Sequence, residues 1–265
     1  MPLADILVLG SGGLVGLTLG LIGGGGSILA VPLLIYVVGV SSTHVAIGTS
    51  AVAVAANAAV GAFFHARAHT VKWPCAIVFA ASGIVGAFIG AKIGKAVNGQ
   101  VLLAGFGLVM IAVGVSMLMR KNKAGDPDVH LDQKTAYRLL PSLIGYGLGV
   151  GVLSGFFGIG GGFLIVPGLI NATNMPILYA VGSSLVSVAA FGAATASSYA
   201  ISDLVDWRLA GLMLAGGAGG ALFGAALSRH LASKKQMLSR IFAAVVIVVG
   251  LYVTIHSVIS LGIFS

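Results

Sequence analysis

Two glycine runs hold the residues best suited to chemistry in this chain. Gly23-Gly24-Gly25-Gly26-Ser27 leads through Ile28, Leu29 and Ala30 to Val31-Pro32. Gly158-Ile159-Gly160-Gly161-Gly162 leads through Phe163, Leu164 and Ile165 to Val166-Pro167. Both runs interrupt apolar sequence. Glycine weakens helix there and lets backbone approach a ligand closely. Backbone freed from a helix inside an apolar layer survives only when buried in protein or lining a cavity. A helix that restarts after such a break offers unpaired N–H groups and a positive dipole end, which suit an anion. The expected anion-facing N–H groups are those of Gly25, Gly26 and Ser27, with Gly160, Gly161 and Gly162 in the second run. The plainer alternative is that the glycines only allow tight helix packing.

Hydroxyls follow each run at matching places, Thr49-Ser50 in the first and Ser183-Ser184 in the second. Asn57 and Ser187 stand farther along the same segments. All six side chains can hydrogen-bond an oxyanion, and the hydroxyls can equally bond back to carbonyls of their own helices. His44 and His65 are the titratable residues nearest the apolar tracts, and a proton-linked role competes with a simple helix-end role. No nucleophile–base set and no metal-ligand spacing stands out, so neither an enzyme nor a metal site is expected, and no cofactor either. Cys75 is the only cysteine, which excludes an intramolecular disulfide and a cysteine metal cluster. A Walker phosphate loop is excluded because no Lys-Ser or Lys-Thr follows the glycines.

These residues sit in a chain that composition assigns to the bilayer. Of 265 residues 58% are hydrophobic and 8% charged, against about 25% charged in soluble domains. The acids are Asp5, Asp126, Asp128, Asp132, Asp203 and Asp206, with no Glu. All fall near tract ends or in the polar stretch, whereas proton-coupled carriers often place acids inside their spans. The net charge of +8 fits lipid headgroups and the positive-inside rule better than nucleic acid. The start of the chain lacks a basic n-region and reads as structure rather than as a cleavable signal.

Apolar tracts run over residues 3–22, 27–40, 43–66, 74–97 and 100–120, then 138–157, 163–173, 176–200, 207–229 and 237–262. Most are long enough to span a bilayer, which takes about 20 residues. The tracts 27–40 and 163–173 are short, so each forms a re-entrant hairpin or a broken helix with its neighbour. The expected fold is an all-α polytopic membrane protein made of two inverted repeats, 1–120 and 138–265, joined by a polar cytoplasmic linker over 121–137.

An internal duplication supports the two repeats. Val31-Pro32 matches Val166-Pro167 at an offset of 135, and Ile47-Gly48-Thr49-Ser50 matches Val181-Gly182-Ser183-Ser184 at 134. Val71-Lys72-Trp73 matches Val205-Asp206-Trp207 at 134, and Phe106 and Gly114 match Phe242 and Gly250 at 136. Stripes such as Gly12-Gly16-Gly20 and Gly147-Gly151-Gly155 repeat every four residues, a spacing for close helix contact. With an odd number of crossings per repeat, eleven of the fourteen Lys and Arg fall on the linker side. That bias places the linker inside and both termini outside.

The paired glycine–Val-Pro blocks, the Gly-Thr-Ser and Gly-Ser-Ser blocks and the Val-x-Trp pairs resemble the TauE/SafE family of membrane permeases. The resemblance covers both halves. It implies a transporter of small anions, sulfur-containing ones such as sulfite and sulfonates, moved outward in many members. The expected partners are therefore a small anionic substrate and the lipid bilayer. Ile159 replaces Gly24 and Gly162 replaces Ser27 in the second copy, so the half-sites are not equivalent.

Overall fold

A computed structural model describes residues 3–22, 24–119, 135–158, 162–230 and 235–260. The described residues form ten helical segments and no strand. They are α1 (Leu3–Ile22), α2 (an irregular helix over 24–37), α3 (Thr43–Arg67), α4 (Trp73–Ala96), α5 (Gly99–Met119), α6 (Ala136–Phe157), α7 (Gly162–Thr173), α8 (Ile177–Ala200), α9 (Trp207–His230) and α10 (Lys235–Ser260). Six of them are long and apolar enough to cross a membrane. The helices lie within a few residues of the apolar tracts.

Local chemistry sets the ends. The Ser42 hydroxyl accepts from the Val45 N–H at 3.4 Å and caps α3. Pro74 stands in the first turn of α4, where its missing N–H costs nothing. The Asp206 carboxylate accepts from the Leu209 N–H at 3.0 Å and caps α9. Gly158 closes α6 in the left-handed region at φ 67°, with its N–H on the Ser154 carbonyl.

The first glycine run breaks helix as its composition requires. α1 ends at Ile22, and the chain resumes as a tight 3-10 turn over Gly24–Leu29. Pro32 then removes a donor and crowds the preceding turn. The coil widens after it into a π-helical turn over Leu33–Val37. The Val40 N–H reaches back to the Leu34 carbonyl at 2.9 Å.

Helix pairing follows the glycines. A Cβ at Gly12 or Gly16 of α1 would strike the backbone of Met213 or Gly217 of α9. A Cβ at Gly147 or Gly151 of α6 would likewise strike Phe79 or Gly83 of α4. Contacts advance in step along each pair, so α1 runs parallel to α9 and α6 parallel to α4. Lipid gives helices no hydrophobic reason to associate, so close backbone approach of this kind is what joins them. α3 and α8 instead run antiparallel, with Gly48 beside Tyr199 and Gly61 beside Leu185. α5 and α10 also run antiparallel, with Gly107 facing Gly250 and Gly114 facing Ala243. Adding the 134–136 offset to one member of a contact and subtracting it from the other turns Gly12–Met213 into Gly147–Phe79 and Gly107–Gly250 into Ala243–Gly114. Outward faces carry large apolar side chains, among them Val85, Phe88, Ile89 and Ile93 on α4 and Val248, Leu251 and Ile255 on α10. Such faces suit lipid.

Candidate functional site

The first glycine run lies against the helix that follows the second. The 3-10 turn over Gly24–Leu29 folds back on α1 and packs against α7, the helix that starts at Gly162. N–H groups in the opening of a helical turn have no carbonyl of that turn to bond, and Gly25 and Gly26 stand there. Gly26 lies on α1, where a Cβ would collide with Thr18 and Leu19. Ser27 is fully buried. Gly162 is buried in the first turn of α7, and Gly160 and Gly161 lie outside the described residues.

The hydroxyl residues divide into two kinds of contact. The Ser50 hydroxyl donates to the Ile47 carbonyl at 2.9 Å, and the Ser184 hydroxyl donates to the Val181 carbonyl at 2.8 Å. Both bond back to their own helices. Thr49 and Ser183 accept from the other half of the chain. The Asp206 N–H donates to Thr49 Oγ1 at 3.0 Å, and the Lys72 N–H donates to Ser183 Oγ at 2.9 Å. Each hydroxyl retains its own O–H to donate. The adjacent glycines make the approach possible: a Cβ at Gly48 would strike the Leu204 carbonyl, and one at Gly182 the Thr70 carbonyl.

Because α3 and α8 are antiparallel, these pairs do not converge. Thr49 and Ser50 lie level with the end of α8, whereas Ser183 and Ser184 lie level with the end of α3. Asn57 is buried in the middle of α3 against Gly217 of α9. Its counterpart in the second half is Phe191, which fills the same position against Gly83 of α4. An amide thus stands where the repeat has an aromatic ring. Ser187 is fully buried and its hydroxyl has no partner.

The two histidines differ. His65 Nδ1 lies 2.8 Å from the Thr70 hydroxyl, which also reaches the His65 carbonyl, so its ring closes the turn after α3. His44 Nδ1 is buried without a partner, and the ring lies 6.5 Å from that of Tyr199.

Several further polar groups lie here. Lys95 donates to the Ser198 carbonyl at 2.8 Å and to the Ser202 hydroxyl at 2.9 Å, placing a cation on the negative end of α8. The hydroxyls of Thr195 and Tyr199 are fully buried and unpartnered. Their four-residue spacing was the available signal. A crevice of about 550 Å³ opens between α3 and α8, lined by alanines with Ser197 and Trp207. A second, of about 510 Å³, lies between α5 and α7 beside Ser116 and Asn171. Among the described residues no three His, Cys, Asp or Glu side chains gather.

Sequence comparison finds related membrane proteins. The family profile described as "Sulfite exporter TauE/SafE" matches residues 8–253. A "Probable membrane transporter protein" of Xylella fastidiosa (strain 9a5c) is 49% identical over 256 residues, covering 97% of each chain. The "Probable membrane transporter protein YunE" of Bacillus subtilis (strain 168) is 30% identical, covering 90% of this chain and 93% of its own. No solved structure gives a significant match.

Proposed function

We propose that this chain, which belongs to the Sulfite exporter TauE/SafE family and is an integral membrane transporter rather than an enzyme, carries small sulfur-containing oxyanions such as sulfite or sulfonates outward by alternating access. The observation that carries this reading is the packing of the Gly24–Leu29 turn on α7. It sets the first glycine turn against the helix that follows the second glycine run, which supports an ion held between half-helices. Backbone N–H groups of Gly25, Gly26 and Ser27 and of Gly160, Gly161 and Gly162 hold the anion. The hydroxyls of Thr49, Ser50, Ser183, Ser184 and Ser187 and the Asn57 amide serve it on its way in and out. Thr49 and Ser183 do so through the O–H that their backbone donors leave available.

Two inverted repeats, 1–120 and 138–265, provide the alternation. The antiparallel alignment of α3 with α8 and of α5 with α10 supports this reading, as does the exchange of Gly12–Met213 for Gly147–Phe79 under the repeat offset. The linker is cytoplasmic, both termini are outside, and the membrane is a bacterial inner membrane. Outward movement needs no coupling ion. An inside-negative potential favours anion exit by about 2.3 kcal/mol per charge per 100 mV.

The test is a flux screen in proteoliposomes with sulfite, thiosulfate, sulfonates and carboxylates. The reading expects sulfur oxyanions to move and carboxylates to lag. Movement of none of them sets it aside.

A further inference from the structure

One ridge of α8 has buried polar groups that the fold does not use. Residues 183, 187, 191, 195 and 199 follow one another at four-residue intervals and are Ser, Ser, Phe, Thr and Tyr. Residues so spaced form a continuous ridge on a helix, inclined to its axis. All five are fully buried. The hydroxyls of Ser187, Thr195 and Tyr199 have no hydrogen-bond partner. Hydroxyls in membrane helices ordinarily bond back to a carbonyl one turn earlier, as Ser184 does. Ser187 and Thr195 do not, and the Tyr199 phenol has no partner either, so three donors on one ridge are open to water or an ion, because a buried unpaired donor is costly.

Lysines mark both ends. At the start of α8 the Lys72 N–H bonds Ser183, and the Lys72 ammonium lies 4.7 Å from the centre of the Tyr179 ring. At its other end the Lys95 ammonium lies 5.7 Å from the centre of the Tyr199 ring, with His44 Nδ1 buried and unpartnered on the same ring's flank. From Ser187 to Tyr199 the ridge climbs about 18 Å at 1.5 Å per residue, more than half of a hydrocarbon core of about 30 Å. Phe191 is its one apolar member and stacks on Phe79, with centroids 6.1 Å apart and planes 16° apart.

We infer that the Ser187–Thr195–Tyr199 ridge is the track along which the oxyanion crosses, with Lys72 and Lys95 drawing it in at the two mouths and the Phe191–Phe79 stack closing the track between Ser187 and Thr195. This inference rests on the oxyanion-transport reading above and adds residues that it does not include. A hydroxyl donates to an oxyanion as well as to water, so each site passes the ion onward without a fixed charge to trap it. The positive ends concentrate anions and disfavour cations.

The test compares sulfite efflux from proteoliposomes holding the wild-type protein, Ser187→Ala, Thr195→Val, Thr195→Ser or Tyr199→Phe, with thermal unfolding of each in detergent. Each variant that deletes a hydroxyl should lower efflux by about tenfold, the factor one lost hydrogen bond to an ion gives. Their unfolding midpoints should not fall, since no partner in the fold is lost. Thr195→Ser should keep most of the flux. Wild-type flux in all three deletions overturns the track. So does equal loss in Thr195→Val and Thr195→Ser, which makes shape rather than the hydroxyl the cause. A lower midpoint with intact flux also overturns it, because the hydroxyls then serve only structure. If the wild-type protein itself moves no sulfur oxyanion, the transport reading falls first and the track falls with it.

Discussion

The Lys72 N–H donates to Ser183 Oγ across 111 residues of chain, and the Asp206 N–H makes the equivalent bond to Thr49 Oγ1. One bond ties the turn before α4 to α8, and the other ties the turn before α9 to α3. Each half of the chain therefore fixes the entry of a long helix in the other. The hydroxyls that looked suited to a ligand also join the two halves.

Ser183→Ala and Thr49→Val should both destabilise the protein, by about 1 kcal/mol each, because a part-buried backbone N–H loses its acceptor. Thermal unfolding in detergent measures this. The two losses should be similar, since the contacts are related by the repeat. A loss at one position only would show that the two ties are not equivalent.

The helix pairs depend on the absence of side chains at the contact. Gly151→Val would drive a side chain into the Gly83 carbonyl, whereas Gly149 has nothing within 4 Å of a Cβ. Gly151→Val should cost about 1–3 kcal/mol or more and lower the yield of monodisperse protein. Gly149→Ala should leave both unchanged. Size-exclusion profiles of the two variants against wild type decide it.

Gly26→Ala should separate the first break from α1, since its Cβ meets Thr18 and Leu19. The expected outcome is normal membrane insertion with anion efflux reduced by about tenfold or more, as a misplaced binding group gives. Full flux in this variant would remove Gly26 from the transport machinery.

Arg208 holds Asp5 with two bonds of 2.9 and 2.8 Å, joining the parallel starts of α1 and α9. The partners are unequally placed: the Asp5 side chain is 8% exposed and that of Arg208 is 67% exposed. Arg208→Ala leaves a buried carboxylate unpaired, whereas Asp5→Asn releases a guanidinium that water already reaches. The arginine variant should therefore lose more stability, about 1–3 kcal/mol against less than about 1 kcal/mol for the asparagine variant. A double-mutant cycle by thermal unfolding reads the difference.

Much of this architecture was legible in the residues. Apolar runs placed ten segments, because a chain with so few charges has only its tract ends and the 121–137 stretch to put in water. Val71-Lys72-Trp73 and Val205-Asp206-Trp207 marked equivalent turns, and the glycine stripes marked where backbones touch. Tertiary donors were not legible. Thr49 and Ser50 are adjacent hydroxyls with the same menu of partners, yet one accepts from a residue 157 positions away and the other bonds its own helix. Only the antiparallel placement of α3 and α8 decides that, and it also moves the two hydroxyl pairs apart. Thr195 and Tyr199 escaped notice because they belong to no repeated block, although their spacing from Ser187 was open to reading.

The most direct test of the account is sulfite efflux from proteoliposomes holding the purified protein, followed under an imposed inside-negative potential with equal proton and sodium concentrations on both sides. The account predicts efflux that rises with the potential and needs neither cation gradient. Sulfite that moves only when a proton or sodium gradient is applied, or does not move at all, would contradict it.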